Sequence, residues 1–508
     1  MEMIRKASNS AVLAIEKGFN RVFSNELNPF YHLGSLSFYF FWIILISGIY
    51  VFIFFETNVA GAYNSVEYMT HDQWWLAGVM RSLHRYASDA VIITIFLHLW
   101  REFSRDRYRG VRWFSWFTGV PTLWMVVMLG ITGYWLVWDM LAQYIAIATS
   151  ELIDWIPMVP GAMVFNFLDG QVSDRFFTLM AFLHLLGLPI MLVFLLWTHV
   201  SRISQIDFYP PRALAIWTLV SLTVLSLIKP AVSHEAAQLT QSPTTLHLDW
   251  FYLNIYPLVD MLGPGLAWAI STSVTVLLMM LPWLPSRGEN PRAEINLEHC
   301  NGCGQCAKDC PYGAISMQKR TDERKYDFEP RMEDSLCTAC GICTGSCVSS
   351  SPFRMGRDIL VSGIEMPWYG ANDLREKTLK GLESLTEDTK IIVYGCVNGL
   401  DVDQVQNPAT AAVVMPCAGM LPPSLVDFAL KKGADGVFVT GCREGDCFHR
   451  FGNRWTDARI LGTREPHLLK RTDKEKVIAF WGAKTESKEL MEKVGAYRAL
   501  IKEGKADE

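Results

Sequence analysis

Residues 81–101 read RSLHRYASDAVIITIFLHLWR. The stretch is apolar enough to lie in a bilayer, yet it carries Arg81, His84, Arg85, Asp89 and His98. Lipid burial alone does not explain it, because ionisable groups inside a membrane are costly and mark function. His84 and His98 are 14 residues apart, about 21 Å along a helix at 1.5 Å per residue. Fourteen steps of about 100° miss closure by about 40°, so both rings stay near one face. His184 and His199 lie 15 residues apart in another apolar run, with a similar rise and a miss of about 60°. One intramembrane histidine is more simply a hydrogen-bonded packing residue. Four at matched depths on two helices point to ligation of two stacked haems, with His84 facing His184 and His98 facing His199.

Outward from that stretch, six runs span a bilayer or nearly so: roughly 36–56, 76–100, 113–138, 176–201, 213–228 and 261–286. A crossing takes about 20 apolar residues, so the fifth is the shortest fit. Basic residues set the orientation. Arg5, Lys6, Lys17 and Arg21 precede the first run, Arg101, Arg105, Arg107, Arg109 and Arg112 follow the second, and Arg202 and Arg212 follow the fourth. The opposite loops hold Arg175 and Lys229. The N terminus and everything after the sixth run are therefore expected in the cytoplasm, with the helices in the inner membrane. MEMIRKASNS has no apolar core directly behind its basic residues, so no cleaved signal is expected. Glycines repeat the histidine spacing: Gly34 and Gly48 are 14 apart, as are Gly119 and Gly133. A haem edge pressed on a helix needs a missing side chain there. Small-residue helix packing is the competing reading.

The second half of the 508-residue chain reads as soluble and carries all 12 cysteines. A net charge of −5 gives no sign of nucleic-acid binding. SRGENPRA, 286–293, reads as a hinge. Cys300, Cys303, Cys306 and Cys310 form a C-x2-C-x2-C-x3-C run, and Cys337, Cys340, Cys343 and Cys347 repeat it. In such paired runs three thiolates hold one [4Fe–4S] cluster and the fourth reaches the other. The expected sets are Cys300, Cys303, Cys306 with Cys347, and Cys337, Cys340, Cys343 with Cys310. Paired eight-cysteine spacing argues against zinc. Further on, KIIVYGC, AAVVMPC and GVFVTGC read as strands ending in cysteine, where ligands gather in α/β units. Cys396, Cys417, Cys442 and Cys447 make a four-cysteine metal site, iron–sulfur or zinc by spacing alone. His449 is expected to sit at the surface or in packing, and 471–508 to be a charged helical face or docking tail.

These residues carry resemblances. RSLHRYASDAVIITIFLHLWR and the 14/15 spacing resemble the haem helices of the cytochrome b family, above all its short form in cytochrome bf complexes. TGYWLVW (132–138) resembles the end of that family's third helix. DFYPPRAL (207–214) and HLDWFYLNIYPLV (247–259) resemble the small subunit that follows short cytochrome b, here fused in line. The resemblance implies two b haems, quinone sites near each membrane face, a homodimer, and Arg81 pairing with an outer haem propionate. Two departures stand out. His32 occupies the place of a cysteine that tethers an extra haem, so that haem is not expected. Leu248-Asp249-Trp250-Phe251 replaces the family's Pro-Glu-Trp-Tyr, leaving Asp249 as the expected general base toward a quinol; an interfacial acid beside aromatic residues is the plainer reading. The eight-cysteine segment resembles bacterial two-cluster ferredoxins, with Val348 in place of a proline. GCVNGLD, MPCAG and GADGVFVTGCREGDCFHRFGN resemble the delta subunit of methyl-viologen-reducing hydrogenase. That implies one [2Fe–2S] cluster and a flavoprotein partner of the heterodisulfide-reductase type.

The expected protein is therefore multidomain: an all-α six-helix transmembrane bundle, a small α+β two-cluster ferredoxin domain, and an α/β iron–sulfur domain. Boundaries fall at 1–210 (di-haem domain), 211–286 (two further spans), 287–360 and 361–508. It is expected to be an oxidoreductase subunit linking a cytoplasmic flavoprotein or hydrogenase-like partner to quinone. A passive anchor and wire, or a redox sensor, are the competing readings. No G-x-G-x-x-G strand–turn–helix marks a nicotinamide or flavin site.

Overall fold

A computed structural model describes residues 2–157, 173–202, 208–241, 245–284, 292–353, 355–356 and 359–506. The expected hinge at 286–293 lies, but for its last two residues, outside them. The chain forms two compact units, Met1–Pro285 and Ser286–Glu508.

The first unit is helical. Helix α1 (Glu2–Leu27) leads into α2 (Leu33–Phe54). Between them the Asn28 side chain accepts from the Phe30 N–H at 2.9 Å and Pro29 opens the turn, where its missing N–H has no helical partner to lose. Then come α3 (Ala62–His71), α4 (Val79–Ser104), α5 (Trp113–Val137), α6 (Met140–Asp154), α7 (Asp174–Phe182) and α8 (Leu188–Val200). Helices α9 (Arg212–Ile228), α10 (Ile255–Leu262) and α11 (Pro264–Met280) complete the unit. Over the described residues, each of the six expected spans is helical for most of its length. Pro29–Phe54, Gly110–Val137, Phe177–Val200 and Pro264–Trp283 are long and apolar enough to cross a membrane. Helix α4 is set apart by its charges and α9 by its 17 residues.

Two features of this unit are not legible as spans. Helix α6, capped by Asp139 accepting from the Ala142 N–H at 2.8 Å, buries Leu141, Ile145, Ala146 and Leu152. A π turn, Leu183–Gly187, joins α7 to α8, with the Leu188 N–H reaching back to the Leu183 carbonyl. Such a turn absorbs one extra residue. The 15-residue step from His184 to His199 therefore keeps the phase of the 14-residue step from His84 to His98. Helix α2 packs along α4, and α5 along α8.

The second unit begins with the ferredoxin-like segment. Strand β1 (Glu294–Ile295) precedes α12 (Gln305–Asp309), the hairpin β2 (Ile315–Lys319) and β3 (Phe328–Met332), and α13 (Ile342–Ser346). Short strands β4 (Met355–Gly356), β5 (Ile359–Leu360) and β6 (Ile364–Glu365) close it, β6 pairing with β1. Gly304 and Gly341 precede α12 and α13 with φ of +74° and +77°. Only glycine takes that conformation without strain, and it turns each cysteine loop sharply into its short helix.

The α/β segment follows: α14 (Ala371–Ser384), β7 (Ile391–Cys396), β8 (Thr410–Met415), α15 (Pro423–Lys431), β9 (Gly436–Cys442), α16 (Gly452–Leu461), β10 (Val477–Gly482) and α17 (Ser487–Ala506). The sheet is wholly parallel in the order β10-β9-β7-β8. All its strands therefore end on one edge, where Cys396 and Cys442 close β7 and β9.

The C-terminal reading needs correction. Residues 471–506 are not merely a charged helical face or docking tail. Val477–Gly482 adds an edge strand, with Gly482 opposite Cys442. Helix α17 buries Leu490, Val494 and Tyr497, and Tyr497 meets Phe438 with ring centroids 5.9 Å apart. The i, i+4, i+7 stripe was hidden in the sequence by its many Lys and Glu neighbours. Leu490→Ala is expected to destabilise this segment by about 2–5 kcal/mol, the usual cost of emptying a fully buried leucine site. Thermal unfolding checks this, and an unshifted midpoint would restore the tail reading.

Candidate functional site

The four histidines meet in pairs. His84 and His184 face each other with ring centroids 6.3 Å apart. Two metal–nitrogen bonds of about 2 Å, with the rings behind them, leave ring centres roughly 6 Å apart, so this gap suits one shared metal. His98 lies within electrostatic reach of His199.

Each histidine leans on a glycine of the neighbouring helix. A Cβ at Gly48 would sit 2.8 Å from His84 Cε1, at Gly133 2.9 Å from His184 Cε1, at Gly119 3.1 Å from His199 Cε1, and at Gly34 3.6 Å from His98 Cε1. The glycines also uncover helix carbonyls. His84 Nδ1 donates to the Ile44 carbonyl at 3.0 Å, His184 bonds to the backbone at Leu129 and His199 at Ser115. In each case the carbonyl is four residues before the glycine. Hydroxyls add to this: Ser47 Oγ is 3.3 Å from His84 Nδ1, Thr132 Oγ1 3.1 Å from His184 Nδ1, and Thr118 Oγ1 3.4 Å from His199 Nδ1. A carbonyl can only accept, so Nδ1 carries the proton and Nε2 is left bare for a metal. These hydroxyls were missed from sequence. The signal was present: Ser47-Gly48, Thr118-Gly119 and Thr132-Gly133 place a hydroxyl directly before three of the four glycines.

The contacts predict an asymmetry. Gly34→Ala meets only ordinary van der Waals contact, whereas Gly48→Ala drives a methyl into the His84 ring. Gly34→Ala is expected to leave the reduced-minus-oxidised haem spectrum unchanged, and Gly48→Ala to shift or lose one component. Equal behaviour of the two variants would detach the glycines from the histidines.

Asp249 sits in a polar knot. Its Oδ2 accepts from Tyr134 OH at 2.6 Å and from Arg85 Nη2 at 3.0 Å, and its Oδ1 from the Phe251 N–H at 2.6 Å. Arg85 also pairs with Asp89 through its other Nη. Arg81 donates to Thr70 and, at 2.8 Å, to Ser233 Oγ, with Glu67 3.9 Å away. His32 Nε2 lies 3.1 Å from the Glu26 carbonyl.

In the second unit the cysteines line two cavities. One is walled by Cys310, Cys337, Cys340 and Cys343 with Tyr312, Thr338 and Ile342. The other is walled by Cys300, Cys303, Cys306 and Cys347 with Met317 and Pro330. Each takes three cysteines from one run and one from the other, because α12 and α13 pack together and throw their last cysteines across. Among the described residues, no three His, Cys, Asp or Glu side chains close on a single ion; these sulfurs ring a wider space. Burial pushes the Cys306 and Cys340 thiols up to about 12 and Cys343 well above its ordinary value. Such thiols ionise only against positive charge placed between them. N–H groups already point at sulfur, from Gly302 to Cys300 and from Ala314 to Cys310.

At the sheet edge Cys396, Cys417 and Cys442 are buried and Cys447 is half-buried, with the Cys396 and Cys442 sulfurs 4.0 Å apart. Hydrogen bonds from the neighbouring thiols hold Cys396 and Cys447 well below the ordinary value, while donating them holds Cys417 and Cys442 well above it. A Cβ at Gly452 would lie 2.2 Å from the Cys417 sulfur. His449 is buried rather than at the surface, its Nδ1 3.3 Å from Tyr312 OH.

Three families match the chain in order. The one described as "Cytochrome b/b6/petB" covers residues 19–207, "4Fe-4S dicluster domain" 299–351, and "Methyl-viologen-reducing hydrogenase, delta subunit" 390–503. Cytochrome b6 of Gracilaria tenuistipitata var. liui is 32% identical over 184 residues, 35% of this chain and 84% of that protein. Cytochrome b6 of Synechococcus elongatus is 29% identical over 181 residues, with the same coverage. A solved structure titled "Hyperthermophilic respiratory Complex III" matches with a TM-score of 0.42 at 18% identity, over 50% of this chain and 75% of that chain, too loosely to carry an argument.

Proposed function

The chain belongs to the cytochrome b/b6 family, fused to a 4Fe-4S dicluster domain and a hydrogenase-delta-like domain, and from that premise we propose that it exchanges electrons between a cytoplasmic flavoprotein and quinone. It is a membrane-integral electron-transfer subunit. The finer reading is ours. His84 with His184 and His98 with His199 each hold a b haem, with Gly34, Gly48, Gly119 and Gly133 making room and Arg81 near a propionate. The two cavity-lining sets each hold a [4Fe–4S] cluster, and Cys396, Cys417, Cys442 and Cys447 hold a [2Fe–2S] cluster. When bound, these groups supply one-electron carriers. The partner is a flavoprotein of the heterodisulfide-reductase type or a hydrogenase-like subunit, and the assembly is a homodimer in the inner membrane with its iron–sulfur domains in the cytoplasm.

The observation that carries this reading is the pairing of four histidines, each seated on a glycine, in a chain that also rings two cavities with four cysteines apiece. The protein's own part is to fix Nδ1 and leave Nε2 bare at His84, His184 and His199, and to keep thiolates where positive charge stabilises them.

Asp249 is the proposed proton acceptor from a quinol hydroxyl. Arg85 lies between Asp89 and Asp249, so it stays paired with Asp89 when Asp249 takes a proton. The test is anaerobic: add a quinol analogue to oxidised full-length protein and follow the haem α band, then the iron–sulfur EPR signals. Haem reduction blocked by quinone-site inhibitors is expected. Asp249→Asn is expected to slow it by about 10²-fold or more, the range of a lost general base. Inhibitor-insensitive behaviour with an unaffected Asp249→Asn leaves a passive anchor and wire.

A further inference from the structure

We propose that the Cys310, Cys337, Cys340 and Cys343 set is the direct exchange partner of the Cys396, Cys417, Cys442 and Cys447 set, and that the Cys300, Cys303, Cys306 and Cys347 set faces outward to the next carrier. This rests on the cluster assignments proposed above and adds their order.

Four contacts converge. Cys340 and Cys417, one from each set, share a buried apolar cluster with Ile342, Phe451 and Trp455. Ile342 is fully buried, and a Cβ at Gly419, two residues past Cys417, would come within 2.8 Å of its Cγ1. Gly341, in the wall of the same cavity, would place a Cβ 2.7 Å from Met420 Sδ. Tyr312, also in that wall, meets the ring of His449, two residues past Cys447, with centroids 6.4 Å apart. One layer of packed side chains thus separates the two sets.

The other set is turned differently. Cys303 is exposed, and its cavity is walled by Met317 and Pro330 of the β2–β3 hairpin. Cys306 and Cys343 lie within electrostatic reach of each other, so the outward set adjoins the inner one. Domain packing alone would require some apolar contact here, but not one that includes a sulfur ligand from each side. Electron transfer falls steeply with distance, so the nearest sets exchange first. Each event moves one electron from the flavoprotein-reduced set to its neighbour, with no bond made or broken and no proton taken up.

The test is EPR relaxation on full-length, detergent-solubilised protein poised to reduce all clusters. Cys303→Ala, which removes the outward cluster, is expected to leave the fast relaxation of the [2Fe–2S] signal intact. Cys337→Ala, which removes the inner one, is expected to slow it several-fold. The reverse pattern, or equal effects, overturns the order. If Cys337→Ala does not accumulate, Cys337→Ser alters that cluster's own signal, and the splitting on the [2Fe–2S] signal must change with it and not with Cys303→Ser. A wild-type protein without a [2Fe–2S] signal overturns the cluster assignment itself, which keeps the two failures apart.

Discussion

His184→Ala is expected to remove one haem and spare the other, halving the α-band amplitude. The geometry confines the damage. His184 faces His84 across 6.3 Å, while His98 and His199 form the other pair on the far ends of α4 and α8. A haem held by two imidazoles loses its grip when one is gone, but the second pair keeps its own glycine seats on α2 and α5. The check is pyridine haemochrome content per polypeptide with a redox titration of the α band. A drop of about twofold with one midpoint lost is expected. Loss of both haems would mean that the pairs fold as one site, and retention of both would remove His184 from the ligand set.

Arg459→Met is expected to lower the melting of the iron–sulfur unit by roughly 10 °C, from a cost of about 3–5 kcal/mol for breaking a buried ion pair. Arg459 is fully buried, as is the carboxylate of Asp309. Arg459 donates to Asp309 Oδ2 at 2.6 Å, to Ser346 Oγ at 2.6 Å and to the Gly419 carbonyl at 2.9 Å. Arg464 Nε donates to Asp309 Oδ1 at 2.8 Å, and Trp455 Nε1 to the Asp309 carbonyl at 3.2 Å. Asp309 and Ser346 directly precede the crossing cysteines Cys310 and Cys347. One arginine therefore fastens both cysteine runs to the α/β segment. The double variant Asp309→Asn with Arg459→Met is expected to cost less than the two singles summed, because the fully buried Arg459 charge goes with its partner and only the partly exposed Arg464 is left. Burial raises Asp309, but hydrogen bonds from Arg464 and the charge of Arg459 outweigh it and hold the carboxyl below its ordinary value. A depressed carboxyl stabilises above the unfolded value of about 3.9 and loses that contribution as pH falls through the folded one. The wild type is thus expected to lose stability on acidification more steeply than the double variant. Loss of iron–sulfur absorbance on heating reads both effects, and unchanged melting of Arg459→Met would show that the pair fastens nothing.

The fused architecture was legible because each part carries a period. Histidines and glycines repeat at 14 or 15, which a helix turns into faces, and the cysteine runs repeat one spacing twice. What stayed hidden depends on the third dimension. The extra residue between His184 and His199 vanishes into a π turn, which no residue type announces. The hydroxyls of Ser47, Thr118 and Thr132 look like ordinary helix residues until α2 and α5 are laid against α4 and α8. Asp249 reads as a lone acid, and only the fold supplies Arg85 and Tyr134. The strand at Val477–Gly482 is six residues long among charges, too short to outweigh them.

The rise between the histidine pairs has an electrical meaning. Fourteen residues of helix make about 21 Å, some two thirds of a hydrocarbon core of about 30 Å. With a haem in each pair, an electron stepping between them crosses most of the voltage drop of the membrane, worth roughly 1.5 kcal/mol per 100 mV. The bundle is then a capacitor plate pair, and the energised state of the membrane sets the favoured direction of flow without any change in either ligand set.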